Sequence, residues 1–185
     1  MEIEIAAEAK DKRLNRAVAI TVVVLSVFMG LAQVKDGNIV QGMDQAQANA
    51  VDRWGEYQAT RTKLHIDETG MAQLSLFSAA SGPAGAAERA RLASEIAKYG
   101  RETPALRAQA EGFQAQYDAL NVHDDQFDAS DALIAIAISI SAVAALAESS
   151  AALYVAWLFA AGGMVMGLAG FLGLGLRSPL AQLLS

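Results

Sequence analysis

The stretch from Ala151 to Leu176 runs for 26 residues without a single charged side chain. A helix needs about 20 apolar residues to cross a hydrocarbon core about 30 Å thick, so this segment is long enough to span a bilayer. Two other apolar blocks accompany it. Residues 17–34 (AVAITVVVLSVFMGLAQV) are uncharged, and residues 132–147 (ALIAIAISISAVAALA) are shorter and rich in Ile, Ala and Ser. Only Glu148, Ser149 and Ser150 separate the last two blocks, which predicts a tight helical hairpin. Taken alone, the middle block reads as a buried core helix; beside such a partner it reads as a span. The first block is longer than the apolar region of a secretory signal. The nearest Ala-x-Ala site, Ala46 to Ala48, lies far downstream. It reads as an uncleaved anchor.

Apart from Glu148 and Arg177, charge is confined to the first sixteen residues and to the region 35–131. With 54% hydrophobic residues and a net charge of −6, the chain has no basic stripe to neutralise phosphates, which argues against nucleic-acid binding. It has no cysteine, which removes thiolate nucleophiles, disulfides and thiolate metal ligands. No nucleophile–base or metal constellation stands out, so the expectation is a non-enzymatic protein without a cofactor or small-molecule substrate. Lys10, Lys12, Arg13 and Arg16 precede the first span and place the tail 1–16 in the cytoplasm by the positive-inside rule. Region 35–131 then lies outside, the Glu148 turn inside and the tail 177–185 outside.

Region 35–131 is expected to form two long helices joined at a turn near 79–87, where Ser81-Gly82-Pro83-Ala84-Gly85 is the Gly/Pro cluster. A coiled-coil seam alternates steps of three and four residues. In the second arm it runs through Leu92, Ile96, Tyr99, Thr103, Leu106, Ala110, Phe113, Tyr117, Leu120, Asp124 and Phe127. In the first arm the same rule gives Val40, Met43, Gln47, Ala50, Trp54, Tyr57, Arg61, Leu64, Glu68, Met71 and Ser75. Folding back at the turn pairs residues whose numbers sum to roughly 164, so that Trp54 faces Ala110 and Ala50 faces Phe113, large opposite small, with Tyr57 packed on the same seam. Arg61 at a seam position would then need a partner near Glu102. Gly100 and Pro104 predict a kink in the second arm. The fold class expected is an all-α membrane protein with three transmembrane helices and a long antiparallel coiled-coil hairpin between the first two.

Two groups of residues are candidates for function. His123, Asp124, Asp125 and Asp128 could ligate a divalent cation through His123, Asp124 and Asp128, or form a solvated acidic collar. In the last span, Gly163, Gly167 and Gly170 permit close helix packing. Their partner is either the Ser139, Ser141, Ala142 and Ala145 face of the preceding span or a neighbouring subunit. His65 reads as a surface histidine.

Two segments resemble a known family. Asp52, Trp54, Tyr57, Gln58 and Ala59 are similar to an Asp-x-Trp-x-x-Tyr-Gln-Ala segment, and His123-Asp124-Asp125-Gln126-Phe127-Asp128 is similar to a His-Asp-x-Phe-Asp approach to a span. On these the chain resembles domain of unknown function family 4337, uncharacterised bacterial membrane proteins. The resemblance implies a multi-pass protein of the bacterial inner membrane and carries no catalytic role. Glu148 departs from the basic residues common in the family's last turn. The functional expectation is a structural or accessory subunit in a homo-oligomer or larger membrane complex, with the lipid bilayer as its medium. The alternative is a homo-oligomeric channel or transporter component.

Overall fold

The computed structural model describes residues 2–76 and 82–176, and among these it contains three α-helices and no strand. Helix α1 runs Glu2–Leu76, α2 Pro83–Leu146 and α3 Ser150–Phe171. Each includes a segment long and apolar enough to cross a membrane. Of the expected turn, residues 79–81 lie outside the described residues, as does the tail 177–185. Pro83 opens α2, where its missing N–H is no loss because first-turn amides have no helical acceptor. Pro83, Ala84 and Gly85 are therefore the first turn of α2 rather than the connection itself.

Neither apolar segment is set off from the arm beside it. Lys35, Asp36 and Gly37 are helical, and so are residues 128–132. Helix α2 also continues through Pro104, which is exposed. Its ring displaces solvent rather than a neighbouring side chain, and the Gly100 carbonyl left without an amide can turn to water.

The chain divides into two compact units, one comprising residues 43–118 and the other the residues before and after them. In the 43–118 unit the two helices run antiparallel. The Lys63 ammonium lies 5.9 Å from the centre of the Tyr99 ring. A Cβ on Gly70 would meet the Leu92 methyls at 3.7 Å. Both pairs sum to 162, close to the sum that the spacing suggests. The α2 stripe Leu92, Ile96, Tyr99, Thr103, Leu106, Ala110, Phe113 and Tyr117 is buried or half-buried, as expected.

The α1 stripe is shifted by one residue at alternate positions. Gln47, Arg61, Glu68 and Ser75 are exposed, and Ala46, Thr60, Asp67 and Leu74 take the inner positions; likewise Ile39 is buried where Val40 was expected. A three-four alternation can begin with either step, and small Ala46 and Thr60 suit a narrow interhelical gap better than Gln47 or Arg61. Arg61 therefore needs no partner at Glu102; its guanidinium donates to the Tyr57 hydroxyl at 3.4 Å.

The other unit packs all three helices. Leu14 and Val18 of α1 meet Ala144 and Leu153 at the α2–α3 turn, and Leu25, Ile134, Ala137 and Ala160 form the next layer. The buried positions of α3 are Leu153, Ala156, Ala160, Gly163, Gly167, Ala169 and Gly170, an inward face that becomes smaller along the helix. A Cβ on Gly163 would lie 2.7 Å from Ile134 Cγ1 and 3.0 Å from the Ser130 carbonyl. On Gly167 it would lie 2.7 Å from Phe28, and on Gly170 2.8 Å from Phe127. The glycines thus pack within the chain, Gly163 against Ser130 and Ile134; of the four α2 residues expected to meet them, Ser141 is buried on that same face and Ala145 is half-buried beside Leu153. Ser139 and Ala142 are exposed, and Ser141 bonds its own helix through the Ala137 carbonyl.

Both helix ends flanking α3 are closed by backbone motifs. Glu148 takes a left-handed φ of 49°, allowing Ser149 N–H to reach the Ala144 carbonyl at 3.0 Å; the Ser149 hydroxyl then caps α3 by accepting from Ala152 N–H. At the far end Gly173 has φ of 66°, and Leu174 N–H returns to Ala169 O at 2.9 Å. That turn ends the helix at Phe171, five residues before the uncharged stretch does.

Replacing Gly163 by Ala should destabilise the protein by about 1–3 kcal/mol, because the contact includes backbone atoms that cannot repack. A fall in the thermal unfolding midpoint in mild detergent, with no change for Gly162→Ala, is the expected result. Gly162 has room: a Cβ there would meet only Leu133, at 3.5 Å.

Candidate functional site: a carboxyl cluster between the first two helices

Asp36 occupies the inward stripe of α1, between Ala32 and Ile39, while Asp124 continues the inward stripe of α2 from Leu120 to Phe127. Two helical registers thereby bring one carboxyl against another. The two carboxyls act on each other in opposite senses, Asp124 raising Asp36 and Asp36 lowering Asp124, so a proton shared between them favours Asp36. Asp128 and Asp131 add negative charge to the same place, and the Asp131 carboxylate accepts from Gln33 Nε2 at 3.1 Å. One oxygen each of Asp36 and Asp131 is buried without a hydrogen-bond partner.

The electrostatics follow from this crowding. Burial, then the charges of Asp124 and Asp128, push the Asp36 carboxyl up to about 6. Burial and Asp128 raise Asp124, partly offset by the neighbouring Asp36 carboxyl. Burial and the charge of Asp125 raise Asp128. Such a group exchanges protons as a set rather than residue by residue. Its chemical capacity is to hold a proton between α1 and α2 under mildly acidic conditions.

His123 does not join the carboxyls. Gln126, fully buried, donates through Nε2 to the carbonyls of Leu174 and Leu176, each at 2.6 Å. Its Oε1 is thus left as an acceptor, and the His123 ring, 3.2 Å away, donates to it through Nδ1. His123, Asp124 and Asp128 are not brought together as ligands: among the described residues no three His, Asp or Glu side chains form a group able to hold a metal ion.

Just before the carboxyl cluster, Phe171 of α3 stacks edge-on against Phe28 of α1 and Phe127 of α2, with ring centroids 6.2 and 5.2 Å apart. In the 43–118 unit Trp54 and Tyr57 form an edge-to-face pair at 5.5 Å, both half-buried, and Ala110 is fully buried with Phe113 half-buried. His65 is exposed, 3.8 Å from Glu68.

Two important residues escape a reading of the sequence. Continuing the three-four spacing back from Val40 reaches Asp36, so a signal for it was present. Gln126 has none, since a polar side chain in a charged run gives no hint that it reaches the chain end of another helix.

The pH dependence has a definite sign. An acid whose folded value lies above its ordinary value of 3.8 favours the folded state fully below 3.8 and loses that contribution as pH rises through about 6. The unfolding midpoint should therefore rise on acidification from pH 7.5 to 5. Asp36→Asn should stabilise the protein at pH 7.5 by about 1 kcal/mol, discounted for solvent screening, and should flatten this slope. Gln126→Ala removes both bonds to the Leu174 and Leu176 carbonyls. It should cost about 1–3 kcal/mol and increase amide exchange at residues 172–176.

No curated protein and no solved structure matches this chain. Residues 14–173 match a family described as a domain of unknown function (DUF4337), a match that covers all three helices' apolar segments. The chain is a member of the DUF4337 family.

Proposed function

We propose that this is a non-enzymatic integral membrane protein of the bacterial inner membrane. In this reading it serves as a structural or accessory subunit, through protein–protein contact in an oligomer or larger complex. Its N-terminus is cytoplasmic, and its 43–118 arms form a coiled-coil hairpin on the periplasmic side. The observation that carries this reading is a second, outward stripe on α1. Val51, Gly55, Gln58, Thr62, Ile66 and Thr69 recur at three-four spacing, are all exposed and bear no charge. Thr62 and Thr69 turn their hydroxyls back to the carbonyls of Gln58 and His65, at 2.8 Å each, so their methyls face outward.

No charged residue falls on this stripe, and the described arginine–glutamate pairs lie elsewhere on their helices. Arg53 pairs with Glu56, Arg91 with Glu88 and Glu95, and Arg107 with Glu111, each within its own helix. An uncharged exposed face at coiled-coil spacing is what a partner helix would cover. The partner is either another protein or a second copy.

Val51→Glu with Ile66→Glu tests the reading directly. Extracted in mild detergent, the unaltered protein should run larger than one chain or carry a reproducible partner, and the double variant should lose that association while keeping its helicity. A monomer without partners would count against the proposal. A ring with a continuous polar axis would favour the channel alternative.

A further inference from the structure

The outward face of α1 changes character abruptly at Ala17. Ile20, Val23, Val24, Val27, Leu31 and Val34 are all exposed, at 50–68%, and share one side of the helix. Arg13 and Arg16, three residues apart and both exposed, occupy the same side immediately before this apolar stripe. Among the described residues neither has a carboxylate partner, as is true also of Arg61, Arg89 and Arg101; what sets Arg13 and Arg16 apart is their place at the edge of the apolar stripe.

A second feature lies within about two helical turns of Arg16. On α3, Tyr154 and Trp157 form an edge-to-face pair at 5.6 Å and remain 65% and 43% exposed. The indole N–H of Trp157 donates to Thr21 Oγ1 at 2.9 Å. Thr21 lies five residues beyond Arg16, about 7.5 Å along the helix axis at 1.5 Å per residue. The same end holds Leu14 and Val18 packed on Ala144 and Leu153, with Glu148 in the adjoining turn.

We propose that Arg13 and Arg16, together with the Tyr154–Trp157 pair, form a binding collar for anionic phospholipid headgroups. The inference rests on the membrane reading above. Guanidiniums at the edge of a lipid-facing stripe extend toward headgroup phosphates, and aromatic rings with one polar atom settle at the same interfacial depth. The indole N–H is already committed to Thr21, so the rings supply position and the arginines supply the preference for negative charge. Glu148 opposes that preference locally and limits its strength.

The chain has two tryptophans, so Trp54→Phe in the full-length protein leaves Trp157 as the sole tryptophan reporter. The protein is reconstituted in phosphatidylcholine vesicles containing about 30% phosphatidylglycerol, with one lipid or the other headgroup-labelled as energy acceptor. Transfer from Trp157 should be about threefold greater to labelled phosphatidylglycerol than to labelled phosphatidylcholine. Arg13→Gln with Arg16→Gln should bring the ratio near one, and Arg13→Lys with Arg16→Lys should retain it. Glycerol phosphate in solution should not compete.

Equal transfer to both lipids in the reporter protein overturns the proposal, as does a preference that survives the glutamine substitutions. Competition by glycerol phosphate would reassign the arginines to a soluble anion and overturn it as well. Failure of the protein to float with either vesicle is a separate result that removes the membrane reading itself.

Discussion

The backbone of α3 approaches α2 and α1 so closely at Gly163, Gly167 and Gly170 that a methyl group at any of the three would collide with a neighbour. Other features of the three-helix unit depend on this approach. It lets Phe28, Phe127 and Phe171 converge edge-on, one from each helix. It also brings the end of α3 near enough for Gln126 to hold the Leu174 and Leu176 carbonyls. Approach this close supplies van der Waals attraction that holds helices together whether the surroundings are polar or apolar.

The buried face of α2 changes accordingly. In the 43–118 unit it presents one narrow stripe to α1, and most of its surface is exposed. Between Gln126 and Ser130 nearly every residue is buried, Asp128 being the exception, because α1 covers one side and α3 another. Polar groups inside so broad an interface must find partners. Gln126 does, Ser141 falls back on its own helix, and the Ser130 hydroxyl has none.

The carboxyl cluster shows the same stripes placing residues that oppose one another. Asp36 and Asp124 occupy inward positions at one level, where an apolar pair would pack more favourably. In the 43–118 unit Asp67 is likewise raised by burial and by Glu95, with Arg91 opposing the shift. Carboxyl pairs between α1 and α2 therefore recur. Each makes the contact between the helices sensitive to proton concentration.

The sequence by itself determined that the chain is helical and where its apolar segments fall, because an uncharged run of helical length is a local property. It also determined the α2 stripe, where Leu, Ile, Phe and Tyr mark the inward side plainly. The α1 stripe was legible only at alternate positions: with polar or small residues on both flanks, Thr60 rather than Arg61 faces inward only because of the space that α2 leaves. The glycines announced close packing, but that Phe28 and Phe127 fill the space beside two of them was a tertiary decision. So was the meeting of Asp36 with Asp124, which lie 88 residues apart in the chain. Residue spacing records the period of a stripe; the rotation of one helix against another is settled by contacts far apart in sequence.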